Sequence, residues 1–328
     1  MNILYTLNDK FVPQVAAGIC SICENNKRER NINFYLISDG ISNDNKNKLV
    51  EFGRTYNRKV IIKELGDLNK YFDFDFDTLG WNNVILARIL MGKLLPKKVE
   101  RLIYLDGDTI VRSSLKKLWN FNLGDNILGM SIEPTVDKKR TVDLDLVNRP
   151  YYNSGVLLVD LRKWREENCE QTIIEYYKSK QGLLFAADQD AINGALKDKI
   201  KTISPKYNFY NIFYQYNYKF LSSLCDYKYI PKKTFDEARK NPVIIHYLGE
   251  ERPWRLGNKH KYRDDYNYYL SITPWKDKNY EDGWKLYFFC WNTFNFITKP
   301  IPKIRYRIIN GLIPTFMKIR KHQLKKEK

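Results

Sequence analysis

The sequence predicts a doubly wound α/β fold. Apolar strand-like runs alternate with helical segments along the first 65 residues. A further apolar run, Leu102-Ile103-Tyr104-Leu105, reads as a buried central strand and leads directly into Asp106-Gly107-Asp108. The two carboxylates therefore sit at the carboxyl end of a strand, where open α/β sheets bind ligands.

Taken in order, residues 2–7 are the first strand, Asn8-Asp9-Lys10-Phe11 a polar turn, and 12–25 a helix. No G-x-G-x-x-G follows the first strand, so the dinucleotide fingerprint is absent. Asn8 stands there instead, either as a turn former or as a donor and acceptor for a base edge. A strand at 32–37, a helix at 42–54 capped by Ser42 and a strand at 60–65 continue the alternation. Residues 67–78 are a polar, aromatic loop. Residues 81–95 are predicted as one helix stopped by Pro96, with Leu86, Ile89, Leu90 and Leu94 on its apolar face. Arg88 lies off that stripe, either solvated or reaching over the carboxyl edge of the sheet.

Asp106 and Asp108 are either a solvated Asp-Gly turn or a cation site. Close carboxylates repel, and burial raises their pKa, unless a cation lies between them. Oxygen ligands suit Mg²⁺ or Mn²⁺, and Gly107 is expected to turn the backbone so that both side chains reach one ion. A strand at 127–132 follows, then a charged segment at 137–149 that reads as a loop or lid. Asn153-Ser154-Gly155 precedes the buried strand 156–159 and allows close approach of a ligand to backbone. Residues 161–178 are predicted as one helix. Asp188-Gln189-Asp190 opens another through 196, with Asp188 either capping it or gripping sugar hydroxyls. A last strand, 243–245, ends on His246. That ring is either a structural residue or a third metal ligand beside the two aspartates. Gly249 and Arg252, just beyond, suit a diphosphate.

At 328 residues the chain can hold one large domain with an appendage, here read as 1–270 and 271–328. The net charge of +18 calls for an anionic partner: nucleic acid, a membrane surface or a phosphorylated small molecule. More than half of it lies beyond residue 283, where eleven Lys/Arg face Glu327 alone. Residues 284–297 are intensely aromatic, and 299–328 are basic with apolar residues interleaved. Pro300, Pro302 and Pro314 are expected to interrupt any long helix there. This pattern suits an anionic bilayer surface, with a packed helical appendage as the alternative. No nucleic-acid motif accompanies the charge, so nucleic acid is not expected as a partner. No apolar stretch reaches spanning length. No export signal is visible, and the five cysteines read as reduced thiols of a cytosolic protein. Cys20 and Cys23 have redox spacing but fall in an apolar helical pattern, so they read as core residues.

Four blocks in order carry a family resemblance: the Asp-x-Asp strand at 102–112, YNSGVLLVDLRKW at 152–164, DQDAIN at 188–193 and HYLGEERPW at 246–254. With them the chain resembles glycosyltransferase family 8, the retaining nucleotide-sugar transferases, and within it the bacterial lipopolysaccharide α-galactosyltransferase branch. The resemblance implies a GT-A fold, a Rossmann-like mixed sheet flanked by helices, followed here by the basic, aromatic appendage. It implies a divalent cation, Mn²⁺ or Mg²⁺, on Asp106, Asp108 and His246. It places Asn8 and Phe11 at uracil, Gly107 at the donor, and Gly249 and Arg252 at the diphosphate. Arg88, Asn153, Ser154 and Asp188 would hold the donor sugar, and Gln189 would lie beneath the anomeric carbon. Lys10 stands where the family usually has Asn, and Arg252 where Lys is common. The implied partners are a UDP-hexose, carrying galactose or glucose, and a glycan or lipid-linked saccharide acceptor at the inner face of the cell membrane. A non-catalytic nucleotide-sugar-binding protein on the same fold is the alternative.

Overall fold

A computed structural model describes residues 1–79 and 82–326. Nine strands are defined: β1 Asn2–Asn8, β2 Asn33–Asp39, β3 Lys59–Glu64, β4 Arg101–Leu105, β5 Thr109–Val111, β6 Leu128–Ile132, β7 Tyr152–Asp160, β8 Ile200–Thr202 and β9 Ile244–His246. Seven form a sheet in the order β3-β2-β1-β4-β7-β6-β8, and β5 pairs with β9 in a separate ribbon. β7 runs antiparallel to both β4 and β6, while the other pairings in the large sheet are parallel. The central strands are covered on both faces, which is why they read as unbroken apolar runs rather than alternating ones. The edges are blunted: β3 carries Lys59, Lys63 and Glu64, and β8 has only three residues.

The helix Val12–Asn25 is buried almost all round, because the sheet covers one side and β5 and the helix Arg263–Ser271 cover the other. Gly18 permits this: a Cβ there would stand 3.0 Å from the Tyr5 hydroxyl and 3.1 Å from the Thr109 carbonyl. Ser21 Oγ accepts from Val111 N at 2.9 Å, and Asn25 Nδ2 donates to Val111 O at 3.0 Å, so this helix fixes β5. Cys20 and Cys23 face the core, where burial raises their thiol pKa to about 11 and about 12. Ser42 caps the next helix, Asn43–Thr55, as expected.

Five expectations are corrected. The predicted helix over 81–95 is a 3₁₀ segment, Asn83–Arg88, followed by a short turn of helix, Met91–Leu94. Asn82 caps the tighter segment, and its three-residue turn carries Arg88 inward with the apolar residues. The helix over 161–178 is broken into Leu161–Glu166 and Cys169–Ser179, with Asn168 in the left-handed region at φ 50°. The segment read as a lid contains a helix, Lys138–Asp143, capped by Asp137 and pinned by Arg140 to the buried Asp190. Asp188 does not cap the helix Ala187–Ala195, since its carboxylate is committed to Arg88. Pro314 lies inside the helix Pro302–Lys326, where the loss of one backbone hydrogen bond does not end a long run. Pro302 opens that helix, at the position proline tolerates.

The appendage consists of Lys285–Thr298 and Pro302–Lys326. Among the described residues, no helix is long and apolar enough to cross a membrane.

Candidate active site

Where β4 ends, the backbone leaves the large sheet and β5 crosses to pair with β9. Thr109 then lies opposite His246, which sets Asp108 beside the imidazole. His246 therefore reaches the aspartates through the ribbon rather than from a strand of the main sheet. Its Nε2 lies 3.3 Å from Asp108 Oδ1 and 3.8 Å from Asp106 Oδ2. The three side chains can offer ligand atoms within 4.8 Å of one another.

Three observations fit a divalent cation here. His246 is buried, and its Nε2 makes no hydrogen bond among the described residues. Its Nδ1 lies 2.9 Å from Asn208 Oδ1, the outer contact that orients metal-binding histidines. Gly155 leaves the room: a Cβ there would fall 2.2 Å from His246 Cε1 and 3.0 Å from Asp106 Oδ2. Burial alone would raise the Asp108 pKa, but the neighbouring His246 and Arg252 hold it below the ordinary carboxylate value. Burial would lower that of His246, and the neighbouring charge of Asp108 raises it instead.

Gly107 serves differently from expectation. It does not adopt positive φ; a Cβ would stand 3.2 Å from both Phe11 and Val15, so what it supplies is space. Gly249 does need its freedom, at φ 79°.

Arg88 is buried, and its guanidinium joins the two halves of the site. It bonds Asp106 Oδ1 and Asp188 Oδ2, each at 2.9 Å, and donates to Ser154 O at 2.8 Å. Burial pushes the Asp188 carboxyl up to about 7 against the pull of Arg88. Gln189 is fixed at both ends of its amide. Oε1 accepts from Ser154 N at 2.9 Å, while Nε2 donates to Tyr151 Oη at 2.9 Å and Glu133 Oε2 at 3.2 Å. Asn153 donates to Glu133 at 2.9 Å and accepts from Asn208 at 2.8 Å.

At the other end, Arg252 lies over the rings of Phe11 and Trp254, at 5.5 and 5.7 Å. Its buried Nε and the buried Oδ1 of Asn8 find no protein partner among the described residues. All the candidate residues (Asn8, Phe11, Arg88, Asp106, Gly107, Asp108, Asn153, Ser154, Asp188, Gln189, His246, Gly249 and Arg252) line one cavity of about 210 Å³. This arrangement joins a cluster suited to a cation, a positive fork, an open amide and a rigid neutral amide.

The family model of glycosyl transferase family 8 matches residues 2–256. The chain belongs to glycosyl transferase family 8. It is similar to General stress protein A of Bacillus subtilis, 27% identical over 84% of this chain and 94% of that one. It is also similar to the lipopolysaccharide 1,2-glucosyltransferase of Escherichia coli K12, 25% identical over 86% and 81%. The solved galactosyltransferase LgtC, in complex with donor and acceptor sugar analogs, superposes with a TM-score of 0.72. It is 21% identical over 87% of this chain and 99% of that one. The fold is therefore GT-A, with a basic, aromatic C-terminal appendage, and the protein is a family 8 glycosyltransferase.

Four residues of this family 8 site escaped the sequence reading: Tyr104, Glu133, Tyr151 and Asn208. Tyr104 donates to Asp106 Oδ1 at 2.8 Å, and its place two residues earlier on one strand was a readable signal. Glu133 directly follows β6, which runs parallel to β4, so the strand-end rule that found Asp106 applies to it as well. Nothing in the sequence marked Asn208.

Proposed function

We propose that this enzyme is a retaining, divalent-metal-dependent hexosyltransferase. It moves galactose or glucose from a UDP-sugar to a cell-surface glycan or lipid-linked saccharide. The observation that carries the reading is one cavity holding both the Asp106–Asp108–His246 cluster and unpartnered groups at Arg252 and Asn8. The first set suits a cation, Mn²⁺ or Mg²⁺, the second a diphosphate and a uracil edge. The lipopolysaccharide transferases among the relatives support a glycan acceptor.

Asp106, Asp108 and His246 would hold the cation, which would supply Lewis-acid charge to the departing diphosphate. Arg252 adds a fixed positive charge to the same leaving group. Asn8 and Phe11 hold the base, and Gly249 presents backbone to the phosphates. Arg88 positions Asp106 and Asp188, and Asn153, Ser154 and Asp188 hold the donor sugar. Gln189, neutral and held at both ends, lies under the anomeric carbon and is a poor nucleophile. Same-face attack follows: the acceptor oxygen bonds to the anomeric carbon as its bond to the diphosphate breaks. The acceptor proton passes to the departing phosphate oxygen. The product anomer tests retention. Proton NMR of the glycoside formed from UDP-galactose or UDP-glucose must show the donor's α-configuration, and a β-product overturns it.

We assign 1–270 as the catalytic domain and 271–328 as a membrane-association region, placing the enzyme peripherally on the inner face of the cell membrane. Leu286, Phe289, Phe296 and Ile297 are exposed along one helix with Lys285 and Lys299 at its ends. Apolar side chains flanked by cations suit the interface of an anionic bilayer.

A further inference from the structure

A groove of about 630 Å³ lies between the helix Lys138–Asp143 and the two C-terminal helices. Its volume falls in the range of built ligand sites, roughly 300–1,000 Å³. Its walls include Glu133, Phe185, Tyr216, Trp291, Tyr306 and Asn310. One end meets the donor cavity, because Glu133 accepts from the Nε2 of Gln189, which lines that cavity. The other wall is the appendage. Tyr306 Oη donates to Thr135 O at 3.3 Å and seats the long helix against the segment after β6. Trp291 stacks on Phe294 at 5.4 Å, with Arg305 5.5 Å from its ring. Its buried indole N–H has no protein partner among the described residues.

The groove's chemistry is that of a neutral sugar site. Amides and hydroxyls alternate with rings, so hydroxyls find hydrogen bonds while pyranose faces lie on apolar surface. Its three acidic side chains, Glu133, Asp137 and Asp143, outnumber Lys139 and Arg140, and Arg140 is already committed to Asp190.

We propose that the C-terminal helices form the outer wall of the acceptor-sugar subsite, with Trp291 and Asn310 as sugar-contacting residues. The appendage then selects the acceptor as well as facing the bilayer. This rests on the transferase reading above and names where its acceptor lies.

The test is binding of methyl β-galactoside, methyl β-glucoside, methyl α-mannoside and lactose to the full chain by saturation-transfer NMR. Asn310→Trp fills the groove, and Trp291→Phe removes the indole N–H together with part of the ring face. The wild type is expected to bind at least one of these sugars. Asn310→Trp should weaken binding about tenfold and Trp291→Phe about threefold, each with a wild-type melting temperature. Absence of binding by every sugar, or equal affinity in wild type and Trp291→Phe with Asn310→Trp either equal or misfolded, overturns the proposal. UDP-sugar turnover by the wild type is read separately, so failure of the transferase reading is distinguished from failure of this subsite.

Discussion

His246 and Asn208 share a 2.9 Å hydrogen bond that decides which imidazole nitrogen faces the two aspartates. The assignment starts from the backbone. Gly155 N donates to Asn153 Oδ1, which fixes that amide, and Asn208 Nδ2 must then donate to the same oxygen. Asn208 Oδ1 is left to accept from His246 Nδ1. Nδ1 therefore carries the proton, and in the neutral ring Nε2 presents a lone pair between Asp106 and Asp108.

Gly155→Ala should remove the cation site while leaving the sheet intact. Its Cβ would fall 2.2 Å from the imidazole, so the ring must shift. The cost in stability should be about 1–3 kcal/mol, as for other overpacked cores. Calorimetric titration with Mn²⁺ should show at least about tenfold weaker binding, in line with loss of an oriented ligand.

Arg88→Met should destabilise the fold by about 3–5 kcal/mol, because it leaves buried carboxylates without their shared partner. Denaturant unfolding reads this directly. The double variant Arg88→Met/Asp188→Asn should recover part of the loss, since one of the stranded charges is then gone.

His260 makes the fold acid-sensitive. Burial pushes its pKa down to about 3, under Tyr247 and Tyr214, and its Nδ1 accepts from Tyr262 N. As pH falls below about 6.5 the unfolded chain gains a proton that the native ring refuses. Stability is thus full above that pH and lost on the way toward 3. The ring should account for about 2 kcal/mol of loss by pH 5. Unfolding midpoints at pH 7 and pH 5 should differ less in His260→Gln than in wild type.

Phe289→Asp/Phe296→Asp should reduce co-sedimentation with anionic vesicles about tenfold or more, since two exposed rings leave the apolar face and two negative charges enter it. Unchanged partitioning contradicts the assignment of this helix as the membrane contact.

The β1–β4 half of the fold was legible because β1, β2 and β4 are buried apolar runs ending at turns. The site was legible where residues sit at strand ends, as Asp106, Asp108 and His246 do. Arg88 was ambiguous because the α-helical period set it off the apolar stripe, whereas a 3₁₀ turn brings it inward. Asp188 looked like a cap because local spacing does not reveal a partner one hundred residues away. The break at Asn168 depends on one left-handed residue, which periodicity does not register. Asn208 enters through the long connection between β8 and β9, where no apolar periodicity marks its place.

The most direct measurement is UDP release from UDP-galactose and UDP-glucose, with Mn²⁺ and with EDTA, by wild type and Asp108→Ala. Metal-dependent transfer predicts turnover of one donor by wild type with Mn²⁺, abolished by EDTA and reduced at least about a hundredfold by Asp108→Ala. Equal turnover with EDTA, or an active Asp108→Ala, would contradict a catalytic cation on Asp106, Asp108 and His246.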